Sequence, residues 1–367
     1  MNGLFLMKWI GADGLVWDPD VSMSGSGGNK ISVHGRGISR LRVETNILKY
    51  FGTIFHMVNK SRNPMNDATK RPPVHPLAEI FGFPFDNQSD IAARYRCKRL
   101  CPFNNKVPNC TKNKANDPLG TCSIFDGDDP VITCPVRFRQ NWIIADDAAD
   151  FFFPENAQWT SLTEVRLKDK HGKTAGNIDV VLVSYDNHGR VIDFGALEIQ
   201  AVYISGNVRR PFEWYMRSPE KNAWMDWCSE INNPRPDYLS SSRKRLAPQL
   251  LYKGGILNAW RKKSAVAIGS GFFRTLPRLE QIPKHQADMA WLVYDLVYDG
   301  SSSVYQLKCA DIVYTRFNSA LSTITKSEPG DVNRFLAILQ DKLDEKLEEN
   351  NPPDAPTLNW SMEDDQE

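Results

Sequence analysis

The sequence predicts an α/β (α+β) fold, a mixed β-sheet flanked by helices, on three observations. Two apolar segments at 178–185 and 191–202 flank Asn187-His188-Gly189, which has the turn chemistry of a β-hairpin. Further strand-like runs follow at 265–273, 289–298 and 304–317. Apolar residues recur at helical spacing over 43–58, 243–261 and 332–347.

With 367 residues the chain can bury a full core, as two lobes or as one large domain with insertions. Its 45 basic and 44 acidic residues nearly cancel, so no global field announces a nucleic-acid partner and local clustering must carry that argument. The first 17 residues include apolar ones but are interrupted by Lys8 and Asp13. They are too short to span a bilayer and lack a secretory cleavage pattern, so a soluble, cytoplasmic protein with no membrane partner is expected.

Taken in order, the Ser- and Gly-rich stretch at 18–37 predicts a flexible arm. A core-packing helix should follow, with Val43, Ile47, Phe51, Ile54, Phe55 and Val58 on one face. Prolines and polar residues predict mostly irregular structure over 59–85.

Five of the seven cysteines then cluster: Cys97, Cys101, Cys110, Cys122 and Cys134. In a large chain without an export signal such clustering favours metal ligation over disulfides. A tetrahedral thiolate site takes four ligands. Cys101, Cys110, Cys122 and Cys134 sit beside turn-forming residues and are the preferred set, with Cys97 as the alternate. Zinc and iron are not separable by ligand type. Arg94, Arg96, Lys98, Arg99, Lys106, Lys112 and Lys114 surround the cluster, either as a solvated face or as a surface for DNA phosphates.

Glu164 lies in the segment before the hairpin, as a third acid for the central site or simply an exposed side chain. Between 202 and 242 no long periodic pattern emerges, but Arg209 and Arg210 are interleaved with Trp214, Tyr215, Trp224 and Trp227 in the manner of a nucleic-acid surface. The helix at 243–261 turns Leu246, Leu250 and Leu257 inward, with Gly254 permitting close approach. Its basic start, Arg243-Lys244-Arg245, opposes the helix dipole unless a phosphate binds there. The last helix carries Phe335, Leu336, Leu339 and Leu343 on one face, and the acidic tail beyond it reads as disordered.

The chemistry concentrates on the hairpin. Side chains alternate along a strand, so Glu198 and Gln200 point one way and Leu197 and Ile199 the other. With Val180 and Leu182 on the apolar side, Asp179 is left to face Glu198. Two converging carboxylates repel unless a hard divalent cation lies between them, and Mg2+ fits that demand. An Asp on one strand and a Glu-x-polar set on the next is the arrangement of PD-(D/E)xK nucleases, whose third position is usually Lys. Here it is Gln200, which cannot act as a base near neutrality but can orient an attacking water.

Several stretches together carry a resemblance: Cys101-Pro102-Phe103, the later cysteines closing with Cys134-Pro135, and Gly195-Ala196-Leu197-Glu198-Ile199-Gln200. So do Lys244-Arg245 with the Tyr252-Lys253 helix, Gly269-Ser270-Gly271-Phe272 and Ala290-Trp291. The sequence resembles the NotI-type restriction endonucleases over roughly 44–325. The resemblance implies a homodimeric type II enzyme that cuts double-stranded DNA at a GC-rich palindrome. It implies catalytic positions at Asp179, Glu198 and Gln200, Glu164 as an extra upstream acid, and iron on the four preferred cysteines.

The chain is expected to be organised as a flexible arm (1–40), a helical and four-cysteine metal-binding region (41–150), a nuclease catalytic core (151–325) and a C-terminal helix with tail (326–367). Arg209, Arg210, Arg243, Lys244 and Arg245 are the reservoir for DNA contacts. Two other readings are a DNA-binding regulator with a structural four-cysteine metal site, and a repair or recombination nuclease.

Overall fold

A computed structural model describes residues 75–348, apart from 115, 225, 228 and 229, together with four short strands nearer the N-terminus. By contacts the chain divides into two compact units, 1–70 and 71–367. In the first, β1 (Met7–Trp9) pairs with β2 (Leu15–Trp17) and β3 (Ser22–Gly25) with β4 (Ile31–His34), both antiparallel. The expected helix over 43–58, most of the expected arm, Cys228 and the acidic tail lie outside the described residues.

The second unit opens with a four-stranded sheet of order β6-β5-β7-β8, from β5 (Leu77–Ile80), β6 (Phe83–Pro84), β7 (Thr121–Asp126) and β8 (Asp129–Ile132). The irregular structure expected up to residue 85 therefore gives way to strands at Leu77. That run is short and buried on both faces, so it shows no alternation to read. Helix α1 (Asp90–Lys98) is capped by Ser89, whose hydroxyl accepts from the Ala92 N–H, and ends at Arg99 in the left-handed region at φ 52°.

Helix α2 (Ile143–Phe152) precedes the main sheet. Its strands are β9 (Trp159–Lys168), β10 (Thr174–Tyr185), β11 (Val191–Gln200), β14 (Ser264–Gly269), β15 (Met289–Asp299) and β16 (Val304–Thr315), in the order β16-β15-β14-β11-β10-β9. The pairs β11–β14 and β14–β15 are parallel and the others antiparallel, so the sheet is mixed as expected.

A parallel β11–β14 pair needs a long crossover. It contains β12 (Tyr203–Ser205), α3 (Arg209–Arg217), β13 (Arg235–Asp237) and a continuous helical stretch, α4, over 238–259. Within α4 two segments, Ser242–Leu246 and Leu250–Gly254, are π-helical. Helices α5 (Phe317–Thr325) and α6 (Val332–Glu348) end the described chain.

Alternation along β10 and β11 decides which residues meet which layer. Val180, Leu182, Leu197 and Ile199 pack against Ile144, Ala148 and Phe152 of α2. Val181, Val183 and Ala196 pack with Leu257 of α4 on the opposite face. Gly195 is obligatory here, because a Cβ would stand 2.3 Å from the Phe152 ring. Leu246 and Leu250 of α4 pack with Trp291 and Phe317, each such side chain contributing about 1.5–3 kcal/mol by leaving water.

Three further expectations are corrected. The strand expected over 265–273 stops at Gly269 and a short helix, Ser270–Phe273, follows. The stretch after residue 202 contains α3, whose buried stripe of Pro211, Phe212 and Tyr215 is too short to register as a period. Helix α4 starts at Tyr238, where the Asp237 carboxylate accepts from the Ser240 N–H. Arg243, Lys244 and Arg245 therefore lie more than a turn inside the helix, and no phosphate at a helix N-terminus is called for. The apolar stripe expected on the last helix is present on α6, and Phe335, Leu336, Leu339 and Leu343 are exposed in the single chain.

Candidate active site

The β10–β11 register that pairs Val180 with Leu197 brings Asp179 opposite Glu198. Both belong to the face covered by α4, leaving the α2 face apolar. Asp179 is half-buried, and its Oδ2 accepts from the Ile199 N–H at 2.8 Å. Glu198 is buried, and its Oε2 accepts from Lys253 Nζ at 2.5 Å. Lys253 also donates to the Asn177 carbonyl at 2.9 Å. The other oxygen of Glu198, Oε1, is buried without a partner. Burial, and then the neighbouring Asp179 carboxylate, push the Glu198 carboxyl up to about 8, while Lys253 pulls the other way.

The remaining expected site residues are placed differently. The Gln200 side chain is buried beside the pair on the same strand, and its Nε2 donates to the Ala201 carbonyl at 3.0 Å. Glu164 lies on β9 between Thr163 and Val165, which pair with Val180 and Ile178 on either side of Asp179. Its backbone adopts φ 58° and its side chain is exposed. Among the described residues no hydrogen bond or ion pair joins it to Asp179 or Glu198.

Lys253 is the site residue that sequence reasoning left out. A signal existed: Leu246, Leu250, Lys253 and Leu257 recur at one helical spacing, so a lysine sits on the stripe that faces the core. It is the one lysine buried among the described residues, at 5 % exposure.

In the cysteine region Cys110, Cys122 and Cys134 are buried, Cys101 is half-buried and Cys97 is exposed; all five are free thiols. Local hydrogen bonds shape the loops: the Cys101 N–H donates to the Pro108 carbonyl, that of Cys110 to Arg99, and that of Cys134 to Cys122. Burial pushes the Cys101 thiol up to about 11, with Cys134 and Cys110 adding to it and the Phe103 and Asn104 N–H groups opposing it. Burial likewise raises Cys122, with Cys134, Glu79, Cys101 and Cys110 adding to the effect. The four preferred thiols thus share one electrostatic neighbourhood. Yet no three His, Cys, Asp or Glu side chains among the described residues are drawn into a ready metal cage. Lys112 reaches into this region, donating to the Thr121 and Thr133 carbonyls.

The candidate DNA-contacting residues are dispersed. Arg209 pairs with Asp117 at 2.8 Å, and Arg210 pairs with Glu230 at 2.8 Å while lying over the Trp227 ring. They line a cleft of about 500 Å³ with Trp214 and Arg217. Arg243 and Lys244 are exposed, and the Arg245 guanidinium covers the Tyr203 ring at 4.2 Å.

A mixed sheet with a carboxylate pair on its helix-covered face is a site suited to hydrolytic chemistry. The comparison with protein families then defines it further: the model of the restriction endonuclease NotI family matches residues 85–307, a span that includes the hairpin, α4 and the cysteine region. The chain belongs to that family and is a type II site-specific restriction endonuclease, a nuclease acting on double-stranded DNA. No curated protein matches the chain. No helix among the described residues is long and apolar enough to cross a membrane.

Proposed function

We infer that this endonuclease cleaves its DNA by Mg2+-dependent phosphodiester hydrolysis on a PD-(D/E)xK-like core, with Asp179 and Glu198 as cation ligands and Gln200 beside them. One observation carries the reading: two carboxylates stand in register on adjacent strands, one of them buried with an unpartnered oxygen and a strongly raised affinity for its proton. Such a pair is relieved by a cation, and one or two carboxylates completed by water and phosphate oxygens are the ligands magnesium takes. When bound, the ion neutralises the pair and supplies the Lewis acidity that phosphodiester hydrolysis requires.

The protein's own groups orient the pair. The Ile199 N–H fixes Asp179, and Lys253 fixes Glu198. Gln200 exchanges no proton near neutrality, so its part is to orient by hydrogen bonding. Glu164, on the neighbouring strand β9, is the candidate upstream acid.

Cutting a palindrome needs two sites related by a twofold axis, hence a homodimer. A GC-rich target is read by Arg or Lys at guanine O6 and N7, and Arg209, Arg210, Arg243, Lys244 and Arg245 are the candidates. One iron (or zinc) on Cys101, Cys110, Cys122 and Cys134 would brace the region ahead of the sheet. Soft thiolate donors suit either metal. Mutual proximity of the four thiols, and N–H groups turned to the Cys101 and Cys110 sulfurs, support that assignment.

Purified protein with Mg2+ and a GC-rich plasmid should give discrete fragments, and Asp179→Asn should give none while still binding DNA. Smeared products would mean a non-specific nuclease; an unfolded Asp179→Asn would make that carboxylate structural. Elemental analysis should find one iron or zinc per chain, lost in Cys122→Ser. A metal-free wild type would remove the four-cysteine assignment.

A further inference from the structure

The strand position two residues past Glu198 holds an amide, which carries no charge to set against the negative charge that builds on a phosphate under attack. A cation nevertheless reaches this site from elsewhere in the chain. Lys253 comes from α4, in the crossover between β11 and β14, and its position relative to Glu198 is built rather than incidental. Gly254, beside it, lies so close to Phe317 that a Cβ would stand 2.5 Å from the ring, which seats the helix. The lysine stem passes Gly176, at φ 113°, where a Cβ would come within 3.5 Å of Lys253 Cδ. The surrounding Leu250–Gly254 segment is π-helical, a departure from the α-helix that recurs at functional sites.

A buried ammonium and carboxylate can also be a plain structural strut, and the way these donors are used argues against that. An ammonium has three N–H donors. Two are engaged here, by Glu198 Oε2 and the Asn177 carbonyl. Among the described residues no third acceptor is found for the ammonium and Glu198 Oε1 is buried without a partner, where a strut would have closed both off.

We propose that Lys253 is a catalytic residue of the nuclease site: its free N–H donates to a non-bridging oxygen of the scissile phosphate, supplying from a helix the charge that Gln200 does not supply from the strand. It keeps its proton throughout, so no proton enters or leaves the balance of the hydrolysis through it. A preorganised charge of this kind acts where negative charge grows in the transition state. The proposal rests on the Asp179–Glu198 pair being the cleavage site.

The test uses the full-length protein with Lys253→Gln, Lys253→Met and the double variant Gln200→Lys, Lys253→Met. Single-turnover cleavage is measured at saturating Mg2+, alongside DNA binding in Ca2+ and a thermal melt. The single variants should fold, bind DNA, and cleave more slowly by about 100-fold or more, the usual loss when one such electrostatic group is removed. The double variant should regain part of that rate, which a strut would not do, since moving the charge to the strand restores catalysis without restoring the helix contact. Wild-type cleavage rates in both folded single variants would overturn the assignment. So would loss of folding in both, or a folded double variant no faster than Lys253→Met. If the wild type itself fails to cut with Mg2+, or Asp179→Asn cuts normally, the site reading fails first and the lysine falls with it.

Discussion

Glu79 and Arg137 form an ion pair in which both side chains are fully buried; Glu198 and Lys253 form another, almost as deeply buried. In the first, Arg137 Nε donates to both Glu79 oxygens at 3.0 Å, and Ser123 adds a further bond to Oε2. The other guanidinium nitrogens reach Gln140 and the Tyr305 carbonyl, and the Phe103 ring lies 4.2 Å from the guanidinium. That network ties β5 to the 3-10 turns after Cys134 and on to β16. In the second pair one carboxylate oxygen is unpartnered, a second carboxylate stands opposite, and one ammonium donor is unused. Burial alone therefore does not distinguish a strut from a reactive group. Completeness of hydrogen bonding does, since a buried polar atom left unpaired costs stability that a purely structural site has no reason to forgo.

The contrast can be broken most severely at Glu198. Glu198→Gln should lower cleavage by about 10³-fold or more, on the scale of losing a principal electrostatic element of a site. Its metal-free melting temperature should fall less than that of Glu79→Gln, because the amide relieves the repulsion with Asp179 that the carboxylate suffers. A large loss of stability would place Glu198 with the struts. Glu79→Gln and Arg137→Met should behave in the opposite way. Removing one partner of a closed buried pair should cost about 3–5 kcal/mol in urea denaturation, with the cleavage rate per folded molecule unchanged. A silent Arg137→Met would collapse the comparison from the other side.

Titration sharpens it. The folded-state Glu198 carboxyl is raised from 4.5 to about 8, so the native protein holds this proton more tightly than the unfolded chain. Its contribution to stability is fully present below pH 4.5 and is lost as pH rises through 8. The metal-free wild type should therefore lose stability relative to Glu198→Gln across that window, and Mg2+ should restore the wild type alone. Parallel pH profiles for the two proteins would remove the raised carboxyl. The smallest effect is expected from Gly254→Ala, whose Cβ meets the Phe317 ring. It should cost about 1–3 kcal/mol as overpacking, and cleavage should fall with it because the helix carrying Lys253 must shift. An active, fully stable Gly254→Ala would show that the lysine is not held to that tolerance.

Local rules made half of the candidate site legible. Alternation over 180–185 and 191–200 puts Val180, Leu182, Leu197 and Ile199 on one face and Glu198 and Gln200 on the other. At the start of β10 it breaks, since Ile178 packs with Val181 and Val183, so the meeting of Asp179 with Glu198 follows from the strand register. The helix stripe of Leu246, Leu250 and Leu257 was equally readable, and so was the close approach at Gly254. Short or fully buried elements escaped, because a three-residue stripe in α3 or a four-residue strand at Leu77 has no period to detect. The start of α4 escaped because its cap, Asp237, precedes the apolar spacing on which the sequence reading relied.

The sequence by itself determined which side chains share a strand face and where the hairpin turns, since both follow from backbone geometry over a few residues. Only the tertiary structure decided what stands across from them. Lys253 and Glu198 are 55 residues apart, and Arg137 and Glu79 are 58. Each meeting depends on sheet order and on the path of a crossover, which no local period encodes. A lysine on a leucine stripe reads as a defect until the β11–β14 connection lays that stripe over a carboxylate. There the same burial that would expel a lone charge holds a paired one in place.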